Sequence, residues 1–263
     1  MKKFIRIMIV MAMIFSLCAI PMAAQGVEVT VTIANGDIMV HDTVSVSDAD
    51  GDGVISIADA LYAAHEENYD GGASAGFGTE DTQWGISLMK LWGVENGGSY
   101  GYQINNGNPM SLADPIKDGD YVYSYVYTDT VGFSDTYTFF NELTVNAKEG
   151  QFIDLILSAA GYDENWAPIT LPVEGATITI NGEKTEFVTD AEGKVSVIID
   201  KAGKYTVSAV SETMTLVPPV CTATVAAESN PSTSDSDMMI FAATAIVVIG
   251  AVMMIRKRNV NEK

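Results

Sequence analysis

Basic side chains are scarce in this 263-residue chain. Between Gln25 and Thr233 only seven lysines and arginines stand against 31 aspartates and glutamates. A surface so acidic repels nucleic acid and anionic lipid and favours divalent cations. Cysteine is nearly missing as well. Cys18 lies in the apolar N-terminal run, which leaves Cys221 without an intrachain disulfide partner. Stability must then come from packing, a metal or some other crosslink. Histidine is limited to His41 and His65, and no Gly-x-Ser-x-Gly elbow or Cys/His pair occurs. The carboxylates are too many for spacing alone to nominate an acid–base pair, so the chain is predicted not to be an enzyme. His41 falls within a predicted strand, where an ordinary exposed side chain is expected.

Long apolar runs occur only at the two ends. Lys2, Lys3 and Arg6 precede the run from Ile7 to Ile20, followed by Pro21 and the small pair Ala23-Ala24. That three-part layout predicts a secretory signal over 1–24. Leu17, not a small residue, precedes Cys18, which argues against lipidation. Met238 to Ile255 is uncharged and just long enough to cross a bilayer. The basic tail 256–263, opening Arg256-Lys257-Arg258, should face the cytoplasm and the bulk of the chain the outside. The linker 228–237 contains Asn230-Pro231-Ser232-Thr233-Ser234. With the apolar span and basic tail behind it, this resembles the cell-wall sorting signal of Gram-positive surface proteins. The resemblance implies that a sortase cuts after Thr233 and joins it to peptidoglycan. Ser234 stands where that signal commonly has glycine. A plain one-pass membrane anchor is the alternative, and either reading keeps the protein at the cell surface.

Between the ends, Val27 to Val46 reads as two alternating strands joined at Asn35-Gly36. In ISIADALYAAHEENY, Ile57, Ala60, Leu61 and Ala64 recur at helical spacing ahead of a glycine-rich stretch, Gly71 to Gly78. WGISLMKLWG, SYGYQIN and DYVYSYVYTD add predicted strands. Hairpin, helix, then further strands is the chain order of a beta-grasp domain, a mixed sheet with one helix packed on it. The fold class expected is thus α+β over 25–140. From 141 to 227, short β runs such as FIDLILSA, ATITING and KYTVSAV predict an all-β Ig-like sandwich serving as a stalk. Thr189 to Gly193 reads as a turn with no metal implied.

SIADALYAA, Gly101-Tyr102, Asn105-Asn106-Gly107 and Ile116-Lys117-Asp118-Gly119-Asp120 leading into an aromatic strand resemble a bacterial family related to the C-terminal domain of transcobalamin and intrinsic factor. The resemblance covers about Val27 to Tyr127 and implies an extracellular beta-grasp binding module. In vertebrate relatives that domain closes over a corrinoid. The segment from Gly175 to Ala209 resembles the Ig-like and carboxypeptidase-regulatory-like modules of surface proteins.

Ahead of the helix lies DADGDGVISIAD, residues 48–59, an insert relative to that family. An EF-hand-type loop takes side-chain oxygens at positions 1, 3 and 5, a carbonyl at 7, a water or side chain at 9 and a carboxylate at 12, with glycine at 6. Asp48, Asp50, Asp52, Val54, Ser56 and Asp59 fill those places, and Gly53 the turn. Ca2+ fits, because clustered carboxylates repel one another without a cation. Aspartate at position 12 matches dockerin loops, but the sequence shows no second half-loop of the kind cohesin binding needs. Ser56 and Asp59 also stand as N-cap and N3 of the helix, an approximate capping box compatible with the metal role.

A ligand, if there is one, is expected on the aromatic strands, at Trp84, Trp92, Tyr100, Tyr102, Tyr121, Tyr123 and Tyr125, which offer flat apolar faces with polar tips to a sugar, a corrinoid or another ring. Cross-strand core packing is the competing role for each. Tyr121, Tyr123 and Tyr125 alternate with Val122 and Val126, so one row should be core and the other partly exposed. The chain thus reads as a surface-anchored, calcium-binding ligand or adhesion module, or as a purely structural surface protein.

Overall fold

The computed structural model describes residues 26–227, Trp84 and Asn96 excepted. The expected signal, the sorting motif with Thr233 and Ser234, the apolar span and the basic tail lie outside the described residues. Among the described residues, no helix is long and apolar enough to cross a membrane. The described chain is mostly β, arranged in several sheets.

The first unit opens on the hairpin β1 (Val27–Asn35) and β2 (Asp37–Val46). Helices α1 (Ile57–Asn68) and α2 (Gly72–Gly76) follow, then the hairpin β3 (Gly78–Thr82) and β4 (Gly85–Lys90). Strands β5 (Tyr100–Ile104) and β6 (Tyr121–Val126) complete it. The main sheet runs β2-β1-β6-β5, with β1 and β6 parallel and the outer pairs antiparallel. Strand alternation decides what each face carries. Val29, Val31 and Ile33 of β1, Val44 and Val46 of β2, and Val122 and Val126 of β6 point to one face. There they bury Ile57, Ala60, Leu61 and Ala64, the apolar stripe of α1. Ser56 caps that helix reciprocally with Asp59, so the capping box is part of the structure.

The second unit contains β7 (Thr136–Phe140), β8 (Thr144–Lys148), β9 (Phe152–Tyr162), β10 (Pro168–Pro172) and β11 (Thr177–Ile180). It continues through β12 (Glu183–Val188), β13 (Lys194–Ile198), β14 (Gly203–Val210), β15 (Leu216–Val217) and β16 (Cys221–Ala226). One sheet runs β10-β9-β7-β15 with β13 also on β9; the other runs β12-β11-β14-β16-β8. Phe140, Leu155, Leu157, Ile178, Val197, Val207 and Cys221 fill the space between them. Two sheets closing over one core make a sandwich. Cys221 is fully buried there, and burial raises its thiol pKa to about 12, so it packs as a small apolar side chain.

Two expectations are corrected. The boundary at 140/141 falls too late, because β7 pairs with β9 and β15 and thereby belongs to the sandwich. And β6 has no exposed row: all six of its residues are buried. Val122 and Val126 meet the helix, while Tyr121, Tyr123 and Tyr125 join Ala34, Tyr137, Val217 and Val220 in a core between the units. The sandwich covers the face that an isolated sheet would show to solvent.

Candidate functional site

The acidic loop links β2 to α1. Asp48 Oδ1 accepts from the Gly51 N–H at 2.7 Å and its Oδ2 from Gly53 N–H at 2.9 Å. Asp50 accepts from Asp52 N–H at 3.1 Å, and Asp52 from Val54 N–H at 2.8 Å. Each side chain thus folds the backbone over itself, the local bonding to which aspartate owes its place in turns. Gly53 makes the sharp bend with φ of 92°, a conformation that favours glycine. As a result one carboxylate oxygen from each of Asp48, Asp50 and Asp52 lies within 4.8 Å of the others.

The electrostatics of the three differ. Desolvation, the largest single influence on Asp48, is outweighed by its hydrogen bonds together, those from Gly53 and Gly51 first, which hold its pKa below the usual value. Asp50 accepts a bond from Asp52 N–H that favours its charge, yet desolvation and the charges of Asp52 and Asp59 together raise its pKa. Negative charge is being crowded into one loop, and a cation would relieve it.

The remaining expected ligands are placed differently. Asp59 is buried, and both of its oxygens are taken: Oδ1 accepts from Ala49 N–H at 2.9 Å, Oδ2 from the Ser56 N–H and hydroxyl, each at 2.8 Å. Ser56 Oγ is the cap acceptor for Asp59 N–H. This pair binds the loop's start to the helix's first turn. Val54 is exposed.

The expected aromatic site is divided by the sheet itself. Trp92, Tyr100 and Tyr102 pack on the helix side, with the Tyr100 hydroxyl shared between the carbonyls of Met89 and Val94, both at 2.8 Å. Tyr121, Tyr123 and Tyr125 lie on the opposite face, and Trp84 is outside the described residues. Tyr123 is fully enclosed and its hydroxyl donates to Pro218 O at 2.6 Å, across the junction. Burial pushes its ionisation well above the ordinary value for tyrosine. Alternation along β5 and β6 forbids both sets from meeting one ligand, so these residues do not form a single site.

Tyr125, of the expected set, lines a cleft. With Tyr127, Tyr137 and Gln103 it walls a cleft of about 510 Å³ at the junction of the units. Tyr125 and Tyr137 stack with centroids 6.1 Å apart. Gly101 makes room for the first ring: a Cβ there would come within 2.1 Å of Tyr125 Cζ. Sequence reasoning missed Tyr137, which stands in the unexpected strand β7, and Gln103, whose position opposite Tyr102 on β5 was the one available signal.

His41 is corrected too. It is no free surface side chain but bridges the units, Nδ1 lying 2.7 Å from Thr32 Oγ1 and Nε2 2.9 Å from Thr222 Oγ1. Burial, and then Lys204, lower its pKa to about 4 against the pull of Asp42. His65 is fully buried: Nδ1 lies 2.6 Å from Leu61 O, and Nε2 accepts from Trp92 N–H at 2.9 Å. That arrangement assigns the proton to Nδ1 of a neutral ring, and burial lowers its pKa. Both imidazoles are thus engaged in hydrogen bonds within the fold. Comparison with models of known protein families gives no match, and comparison with curated proteins gives none either.

Proposed function

We propose that this protein is an exported, surface-anchored binding module whose loop 48–59 takes Ca2+ as a structural brace. The single observation that carries the metal reading is the convergence of Asp48, Asp50 and Asp52 oxygens within 4.8 Å. Asp48, Asp50, Asp52 and the Val54 carbonyl would hold the ion, a hard-oxygen set suited to calcium. Bound there, it supplies positive charge to a loop that otherwise crowds anions. Asp59 serves by fixing the loop to α1.

The sheet order β2-β1-β6-β5 with α1 across it supports a beta-grasp assignment for the first unit, and the two-sheet core of the second supports an Ig-like stalk. Among the described residues there is one acidic triad, which speaks against a paired, dockerin-type partner surface. A cleft walled by Tyr125 and Tyr127 favours a binding role over a purely structural one. The N-terminal signal pattern and the C-terminal span with its basic tail support export and anchoring, by sortase at Thr233 or by the span itself.

Extracellular loops of this type bind calcium near 10⁻⁴ to 10⁻³ M, roughly the free level outside cells. At tenfold excess over Kd the brace adds about 1.4 kcal/mol. Calcium should therefore raise the melting temperature and a chelator lower it, and Asp50→Ala should erase the difference. Identical melts in calcium and chelator would refute the metal reading.

A further inference from the structure

The cleft between the units has properties that neither the brace nor the stalk requires. Its volume, about 510 Å³, lies within the ordinary range for small-ligand sites, about 300–1,000 Å³. Tyr125, Tyr137 and Phe139 form a stacked wall, with Tyr137 and Phe139 centroids 6.0 Å apart. Two further aromatic rings pack against residues of its lining. Tyr127, in the wall, meets Phe133 at 5.4 Å, and Tyr162, also in the wall, meets Trp166 at 6.2 Å.

Phe133 and Trp166 are held outward at a cost. Trp166 is 81% exposed and Phe133 53% exposed, and both have left-handed backbones, with φ of 63° and 49°. Bulky side chains rarely occupy that region, and such strain concentrates where a protein meets a ligand. Neither side chain contributes to a core of the described residues.

The polar groups supply the second part. Gln103 is only 8% exposed, lines the cleft, and makes no side-chain hydrogen bond among the described residues. Among the described residues no side-chain nitrogen or oxygen is both buried and unpaired, so the Gln103 amide opens into the cleft and is free to bond what enters it. Asn106 accepts from the Tyr137 hydroxyl at 2.8 Å through Oδ1, which leaves its Nδ2 free to donate. Among the described residues Asp135 is the only charged one lining the cleft, and its oxygens are already taken by Thr128 and Asp129. No lysine or arginine of the described residues lines it.

Flat aromatic faces, unpaired amides and no cation describe a site for a ring with apolar C–H faces and hydroxyl edges. We infer that this cleft binds a neutral glycan, with a pyranose ring against Tyr127 and the exposed Tyr162, which the buried Tyr125–Tyr137 stack supports from behind, Gln103 and Asn106 on its hydroxyl or acetamido groups, and Trp166 and Phe133 gripping adjoining residues. Anionic glycans are disfavoured by the missing cation and the acidic surface. The larger groove of about 740 Å³ on the sandwich offers nothing comparable: Phe187 is the only aromatic among the described residues that line it, and Asp154 there is already bonded to Ser196.

This inference rests on the reading of the protein as a binding module, and is independent of the calcium brace. The test uses the full-length protein in calcium buffer, with saturation-transfer NMR against millimolar panels of neutral oligosaccharides of glucose, galactose, mannose and N-acetylglucosamine. Sialylated and sulfated glycans, a corrinoid and haem serve as comparison ligands. Transfer to one or more neutral glycans is expected. Trp166→Ala should weaken binding about tenfold and Gln103→Leu, which keeps the packing volume, should weaken it similarly, both with an unchanged melting temperature. Silence across the neutral panels, preference for an anionic glycan, corrinoid or haem, or binding indifferent to both variants would overturn the glycan site. A protein that responds to calcium but binds no glycan loses this inference alone.

Discussion

At the scale of single residues, close approach explains more than side-chain identity. Gly101 has no notable turn role, yet Tyr125 lies across it so closely that a methyl group would overlap the ring and its hydroxyl oxygen, at 2.1 and 2.3 Å. Gly101→Ala must turn the ring out of the wall it shares with Tyr137. Overpacking of this kind costs about 1–3 kcal/mol, and urea unfolding should show a loss in that range. The sequence placed Gly101 beside Tyr102 as a motif but carried no sign of the ring over it. That ring belongs to a residue 24 positions later and is set by the β5–β6 register, Gly101 opposite Tyr125.

At the scale of elements, the loop and helix α1 behave as one device with two separable parts. Ser56 and Asp59 cap the helix, and Asp59 also holds Ala49, at the other end of the loop. Removing the cap with Ser56→Ala should cost about 0.5–2 kcal/mol, equally in calcium and in chelator. Asp50→Ala should act only on the calcium increment. Equal loss of the increment in both variants, measured by paired thermal melts, would mean that cap and loop are one unit. Most of this device was legible beforehand, because capping boxes and acidic turns depend on residues within a dozen positions. What was not legible is that Asp59 also accepts from Ala49 N–H across the loop.

At the scale of the whole molecule, the junction holds the two units together through Tyr123, Tyr137 and His41. His41 and His65 have folded-state pKa values below the ordinary 6.5. The native state therefore binds fewer protons than the unfolded one. Their contribution is complete above about pH 6.5 and declines as pH falls, for His41 down to about 4. The slope is at most about 1.4 kcal/mol per pH unit for each ring. Neutralising the acidic surface acts in the opposite sense by easing self-repulsion. The comparison that isolates His41 is thus wild type against His41→Gln between pH 7.5 and 4.5. The variant should lose less stability on acidification, and parallel curves would show that the bridge does not titrate as argued. Local order alone told the sequence reader where hairpin, helix, capping box and acidic loop would lie, because each is governed by contacts within a few turns or by strict alternation. Only the tertiary structure decided that both rows of β6 are interior, that β7 belongs to the sandwich, and that the open space lies at the junction beside Gln103 and Tyr137. An alternating strand reveals that it has two faces, but which face meets water depends on a second unit folded from residues far along the chain.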